Sequence, residues 1–256
     1  MTTPLKTSTL TPVPGAIIIG ASSGIGEAIA RRLAREGYAV ALVARRADLL
    51  NKICEGIKTA GGPASAYPHD VTHYDEAPKL FQTILRDFGR IDVVVYASGV
   101  MSSVGLSEFN FEKDKAMVEV NVLGAMVWLD QAATLFERSG SGHIVGLSSV
   151  AGDRGRIVNP ANNTSKAALS TYLEALRNRL TRKGVHVLTV KPGFVDTDML
   201  KGVKRTFWVV SPEQVAADVW AAIRSRKQEI YTPARWRLMM FIVRNIPSVI
   251  FRRLSF

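Results

Sequence analysis

Short apolar, β-branched runs alternate with amphipathic stretches along nearly the whole chain, and this alternation leaves few folds open. The runs cover residues 16–19, 39–43, 64–67, 91–96, 142–147 and 185–190. Between them Ile25, Ile29 and Leu33 recur at helical spacing, as do Leu169, Leu173, Leu176 and Leu180. Further helices are expected over 47–58, 75–88 and 113–136. Strands joined through helices run parallel, because parallel neighbours need a crossover connection. The expectation is an α/β fold: one doubly wound parallel sheet of about seven strands, with helices on both faces.

Composition agrees with one folded unit. Hydrophobic residues make up 47% of 256, enough for a sizeable core and too many for a disordered chain. There is no internal repeat and no long linker; Gly61-Gly62-Pro63 reads as a turn. The expected organisation is a loose lead-in over 1–14, one domain over 15–234, and a basic, apolar tail over 235–256. No apolar run reaches the ~20 residues that span a bilayer, and the start lacks the apolar centre of a secretory signal. Cys54 stands alone, which excludes an intramolecular disulfide framework and argues against cysteine-ligated zinc. The four histidines lack ligand spacing. A cytoplasmic setting is expected. The net charge of +11 raises the question of nucleic acid. Its sources, such as Arg31, Arg32 and Arg35 or Arg177, Arg179 and Arg182, are spread over helix faces, and no DNA- or RNA-binding motif accompanies them. No nucleic-acid partner is expected.

The first strand runs straight into Gly20-Ala21-Ser22-Ser23-Gly24-Ile25-Gly26, which opens a helix. Glycines allow a tight turn and a close approach of backbone to a pyrophosphate, and the helix N-terminus offers unpaired N–H groups to that anion. Ser22 and Ser23 add hydroxyls. A dinucleotide site for NAD usually carries Asp or Glu at the end of the second strand. Here that strand ends Val43-Ala44-Arg45-Arg46, so the acid is missing and two guanidinium groups are available to a 2′-phosphate. The cofactor expected is NADP(H), with Arg45 the stronger candidate of the two.

The spacing Gly-x-x-x-Gly-x-Gly resembles that of the short-chain dehydrogenase/reductase family, and further motifs follow in the family's order. Asp70-Val71 resembles its adenine-contacting pair. Ala97-Ser98-Gly99 sits where the family has Asn-Ala-Gly. Asn121 matches the helix asparagine of its tetrad, Ser149 the serine, and Lys166 the lysine of Tyr-x-x-x-Lys. Pro192-Gly193-Phe194-Val195-Asp196-Thr197 resembles the segment beside the nicotinamide, with Pro192, Gly193, Val195 and Thr197 as contacts. The resemblance implies a Rossmann-type fold and hydride transfer between nicotinamide and a carbonyl or alcohol. It also implies that tyrosine handles the substrate proton, lysine lowers the tyrosine pKa and holds the ribose, serine binds the substrate oxygen, and asparagine positions a water.

The position that should hold the tyrosine, four before Lys166, is Asn162. A carboxamide donates a hydrogen bond but delivers no proton near pH 7. Tyr172 lies too far along the helix to replace it. Three readings stand: a laboratory replacement in an ordinary reductase, a natural NADP(H)-binding pseudoenzyme whose output is an interaction, or altered chemistry using Ser149, Lys166, Asn162 or water. The Asn-x-Ser/Thr sequences at Asn162 and Asn163 are discounted as glycosylation sites beside Lys166.

The substrate pocket is expected from residues 101–106, 152–159 and the stretch after Thr197, including Phe207 and Trp208, with Arg154 and Arg156 nearby. This lining suits a hydrophobic ketone, aldehyde or secondary alcohol. The helices over 113–136 and 162–182 resemble those that pair subunits in the family, implying a homodimer or homotetramer. The tail, with Trp236, Met239, Met240, Phe241 and Ile242 set among arginines, reads either as an interfacial helix making peripheral membrane contact or as a substrate-pocket wall or subunit-packing arm.

Overall fold

The structure is a computed structural model that describes residues 13–201, 203 and 206–254. Most of the expected lead-in over 1–14 therefore lies outside the described residues.

Seven strands form one parallel sheet: β1 (Gly15–Ile19), β2 (Ala39–Ala44), β3 (Ala64–Pro68), β4 (Val93–Tyr96), β5 (His143–Leu147), β6 (His186–Pro192) and β7 (Glu229–Thr232). Their order is β3-β2-β1-β4-β5-β6-β7. The chain works outward from β1 to β3, then crosses back to place β4 on the other side of β1. At that reversal the connections leave β1 and β4 on opposite faces, opening a crevice at the carboxyl ends of the strands, where ligands bind in this architecture.

The helices are α1 (Gly24–Arg35), α2 (Ala47–Thr59), α3 (Ala77–Phe88), α4 (Phe111–Val118), α5 (Gly124–Ser139), α6 (Pro160–Leu180), α7 (Pro212–Arg224), α8 (Trp236–Asn245) and α9 (Ser248–Phe251). On one face α1, α2 and α7 bury Ile29, Leu33, Leu50, Ile53, Val215 and Val219 against Ile18, Leu42 and Val95. On the other, α3, α5 and α6 bury Phe81, Ile84, Trp128, Phe136, Leu169 and Leu173 against Ile17, Ile19 and Val94. Strands covered on both sides must be apolar at every position, and β1 and β4 are buried throughout.

Three elements differ from the sequence reading. The single helix expected over 113–136 is two helices joined by a π-helical turn, Glu119–Leu123. That extra residue per turn sets Asn121 and Val122 inward together. β4 begins two residues later than expected, and β6 continues to Pro192, with Lys191 and Thr189 buried in it. The edge strand β7 and helix α7 follow the region that the apolar runs marked. Within the tail lie α8 and α9, and Trp236, Met240 and Val243 pack with Val150, Phe194, Trp208 and Tyr231.

Candidate active site

The turn after β1 is shaped by close backbone approaches. Gly20 has φ +91°, and a Cβ on it would lie 2.4 Å from the Ser98 nitrogen. A Cβ on Gly26 would meet the Gly20 carbonyl oxygen. Only glycine permits these crossings. Ser23 stands at the N-cap of α1 but makes no capping hydrogen bond. Its hydroxyl instead accepts from Arg46 Nη2 at 2.7 Å, while Ser22 Oγ accepts from Arg46 Nη2 at 2.8 Å and Nε at 3.1 Å. The side chain that would ordinarily cap the helix is thus turned to an arginine. The first N–H groups of α1, Ile25 among them, are left without a side-chain acceptor in a positive helix end.

The two arginines after β2, of which the sequence reading preferred Arg45, have different partners. Arg46 lies on the phosphate turn, whereas Arg45 is mostly exposed and reaches Asp70 at 3.7 Å. Asp70 also accepts from the Thr72 nitrogen at 3.0 Å and hydroxyl at 2.8 Å. Burial opposes its ionisation, but these Thr72 hydrogen bonds and the Arg45 and His73 charges outweigh it and hold the carboxyl below its usual range. Val71 is buried beside Gly124.

At the end of β4 the Ala97 nitrogen donates to the Ile19 carbonyl at 2.7 Å, carrying the chain past the turn into Ser98 and Gly99. A Cβ on Gly99 would sit 3.4 Å from both Asn121 Oδ1 and Lys166 Nζ, so both groups lie against this one glycine. Asn121 is fully buried. It accepts from the Val100 nitrogen at 2.8 Å and donates to the Val100 carbonyl and to Ser165 Oγ, each at 3.0 Å. Ser165 in turn donates to the Asn162 carbonyl at 3.0 Å. Asn121 is therefore tied to the helix turn that carries Asn162 and Lys166.

Lys166 is buried and donates to the Leu147 carbonyl at 3.0 Å. Burial lowers its pKa to about 8. Ser149 follows two residues after Leu147; its hydroxyl donates to the Pro192 carbonyl at 3.4 Å and accepts from the Ala151 nitrogen. Ser148 instead bonds the Lys166 carbonyl and the Ser170 hydroxyl, joining β5 to α6. Asn162 occupies the first turn of α6, half-buried, and its side-chain amide has no partner among the described residues. Its position is set by Asn159, which has φ +52°, accepts from the Asn162 nitrogen and donates to the Ser102 carbonyl at 2.7 Å. The Asn159-Pro160 pair was a readable signal for this helix start, an N-cap followed by proline at the first helical position.

On the β6 side, Val195 is buried and forms a bridge with Val210, and a cleft of about 430 Å³ lies over the turn between Gly24, Thr197 and Lys201. Gly193 lacks a side chain because Trp236 fills the space: a Cβ would lie 1.9 Å from Trp236 Nε1. Phe207 and Trp208 do pack near this segment, with Phe194 and Trp236, at ring separations of 5.1–5.9 Å. Arg154 reaches across to the end of α8. Its Nη1 donates to the carbonyls of Val243 at 2.6 Å, Arg244 at 3.2 Å and Ile246 at 2.6 Å, holding the C-terminus of α8.

These residues offer what a dinucleotide needs: a helix end with free amides, a cation beside the turn, and a lysine and asparagine meeting at Gly99. The model of the short chain dehydrogenase family matches residues 15–207. The chain is 35% identical over 187 residues to a protein of Staphylococcus epidermidis described as an uncharacterized oxidoreductase, covering 73% of this chain and 80% of that one. It is similar to a variant of actinorhodin polyketide ketoreductase solved with NADPH, at 27% identity and a TM-score of 0.76 over 82% of this chain and 89% of that one. It is also similar to 7α-hydroxysteroid dehydrogenase solved with NADH and 7-oxo glycochenodeoxycholic acid, at 26% identity and a TM-score of 0.76 over 82% and 86%. The chain belongs to the short-chain dehydrogenase family, a family of oxidoreductases.

Proposed function

We propose that this chain binds NADP(H) and works on a hydrophobic ketone, aldehyde or secondary alcohol, with its proton transfer impaired because Asn162 stands in the tyrosine position. The observation that carries the cofactor assignment is Arg46, held by both serines of the phosphate turn and so prepared for a 2′-phosphate. Relatives solved with NADPH and with NADH leave family membership neutral on this point.

When bound, the nicotinamide supplies or accepts hydride at the carbonyl carbon. Gly20, Gly24, Gly26 and the amides of α1 hold the pyrophosphate, with Ser22, Ser23 and Ile25 shaping the turn. Arg45, Arg46, Asp70 and Val71 face the adenosine end. Ala97, Ser98, Gly99, Pro192, Gly193, Val195 and Thr197 line the nicotinamide end. Lys166 holds the ribose, Asn121 fixes the helix turn beneath Lys166, and Ser149 donates a hydrogen bond to the substrate oxygen. Asn162 adds at most a second such bond, stabilising a developing oxyanion without delivering a proton.

One observation favours altered chemistry over complete inactivity. The Lys166 ammonium, its pKa lowered to about 8 by burial, has one hydrogen-bond acceptor among the described residues, the Leu147 carbonyl, and its Nζ lies against Gly99. Proton release from Lys166 would leave slow carbonyl reduction. The test is stopped-flow mixing of the NADPH-loaded protein with a panel of ketones from pH 6 to 10, expecting slow oxidation that falls as Lys166 deprotonates above about pH 8. NADPH that binds but is never oxidised would favour the pseudoenzyme reading. No binding would overturn the cofactor assignment.

Subunit pairing through α5 and α6 is part of this proposal, as is the division into a catalytic domain over 15–234 with the tail over 235–256 closing beside it.

A further inference from the structure

The end of the chain presents a surface that the proposed chemistry does not use. α8 buries Trp236, Met240 and Val243, and the same helix turns Leu238 and Phe241 outward at 68% and 67% exposure, with Ile242 beside them. α9 adds exposed Val249 and Ile250. This outward face is not a loose end. Arg154 holds three carbonyls at the C-terminus of α8 and stacks over the Phe251 ring at 3.9 Å, fixing both helices to the segment that follows Ser149. A stable fold that keeps several large apolar side chains in water on one face marks an interaction site.

Charge says what covers it. From residue 230 to the end the chain carries Arg235, Arg237, Arg244, Arg252 and Arg253, and no Asp, Glu or Lys. Arg235 stacks over Trp208 at 4.7 Å. The other four are exposed, and their guanidinium groups have no hydrogen-bond or ion-pair partner among the described residues. Asp153 and Glu229, which meet Tyr231 and Lys191 in this part of the fold, are already engaged: Lys191 holds Asp153 at 2.8 Å and Glu229 at 2.7 Å, and Tyr231 donates to Asp153. Unpaired arginines around protruding leucine, phenylalanine and isoleucine side chains complement anionic headgroups over an acyl layer. Among the described residues no helix is long and apolar enough to cross a membrane, so the contact is with the surface.

We propose that the outward face of α8 and α9 docks on an anionic lipid bilayer. The packing also orients the docked molecule. α8 rests on Val150 and Phe194, next to Ser149 and Gly193, and Ile157 and Val158 are exposed on the loop that Arg154 begins. The substrate mouth then lies at the bilayer surface, and a carbonyl on an apolar chain could enter from the lipid. Only this corollary rests on the reductase reading; docking is read without turnover.

The experiment is co-sedimentation of the full chain with vesicles of phosphatidylcholine alone or with phosphatidylglycerol at roughly two to one, at low and high salt. Binding is expected only with phosphatidylglycerol and should weaken with salt. Arg252→Gln with Arg253→Gln should lower the partition coefficient by about thirty-fold. Leu238→Ser with Phe241→Ser should lower it by about tenfold or more. Unchanged melting temperature and NADPH affinity establish that the variants fold. A full chain that stays in the supernatant, equal binding to neutral vesicles, or variants that bind as well as the parent would each overturn the proposal. So would a change of oligomeric state in either variant without lipid, which would make this face a contact between copies.

Discussion

Replacing Arg46 by alanine should remove the discrimination between NADPH and NADH. The native guanidinium makes three hydrogen bonds to Ser22 and Ser23, so its plane is fixed before any ligand arrives and little rotamer entropy remains to be lost. A charge-assisted hydrogen bond contributes about 1.5–3 kcal/mol. Because Arg46 is exposed to solvent, the low end applies, and ~1.5 kcal/mol corresponds to about tenfold in Kd. Arg46→Ala should therefore weaken NADPH by about tenfold and leave NADH nearly unchanged. Arg45, mostly exposed and shared with Asp70, should matter less. Isothermal titration of both cofactors into the parent, Arg45→Ala and Arg46→Ala proteins measures this directly. Equal weakening of NADPH and NADH in Arg46→Ala would mean that the arginine only shapes the turn. A larger effect at Arg45 would restore the order read from sequence.

Two further outcomes concern the frame. His186 Nε2 donates to the Lys227 carbonyl, so its Nδ1 accepts from His143 Nδ1 at 3.0 Å, an arrangement that needs His186 neutral. Burial, then the His186 and Arg226 charges, lower the His143 pKa to about 4. Its contribution is thus complete above the unfolded value of about 6.5 and is lost as pH falls from there toward 4, by roughly 3 kcal/mol at most. Urea midpoints should decline over that window in the parent and much less in His143→Gln; parallel profiles would exclude the pair as the cause. Gly193→Ala should force Trp236 from its place, costing about 1–3 kcal/mol. The loss should be largely absent when Trp236→Leu is already present, as melting of the four proteins of the cycle would reveal; additive losses would refute direct contact.

Much of this was legible in the sequence for physical reasons. Strands buried on both faces, such as Ile17-Ile18-Ile19 and Val93-Val94-Val95, must be apolar throughout and so announce themselves. The Gly20–Gly26 turn is readable because backbone crossings at Ser98 and Gly20 forbid any other residue. The order of Asn121, Ser149 and Lys166 was readable as a pattern, and the structure places Asn121 and Lys166 against the same glycine, Gly99. What escaped depends on distant partners. Arg154 contacts a carbonyl 89 residues away, and Gly193 is small because of Trp236, which no local pattern records. Nor does spacing distinguish adjacent arginines: only the twist of the chain after β2 decides that Arg46 turns to the serines. The π-helical turn at Asn121 escaped because one added residue shifts the apolar period without breaking it. β7, Glu-Ile-Tyr-Thr, is a short edge strand carrying a charge and lacks the signature of its neighbours.

The central claim is that the Asn162 position withholds the proton while the rest of the site holds NADPH. Its most direct measurement is the initial rate of NADPH-dependent reduction over a ketone panel for the parent, Asn162→Tyr, and Asn162→Tyr with Lys166→Ala. A positioned acid contributes about 10²–10⁴-fold, so Asn162→Tyr should raise the rate by about two orders of magnitude or more at unchanged NADPH affinity. Adding Lys166→Ala should abolish that gain, because a phenol with pKa near 10 then loses the cation that tunes it. No gain in Asn162→Tyr on ketones that demonstrably bind would contradict the claim and leave Asn162 as a participant in different chemistry.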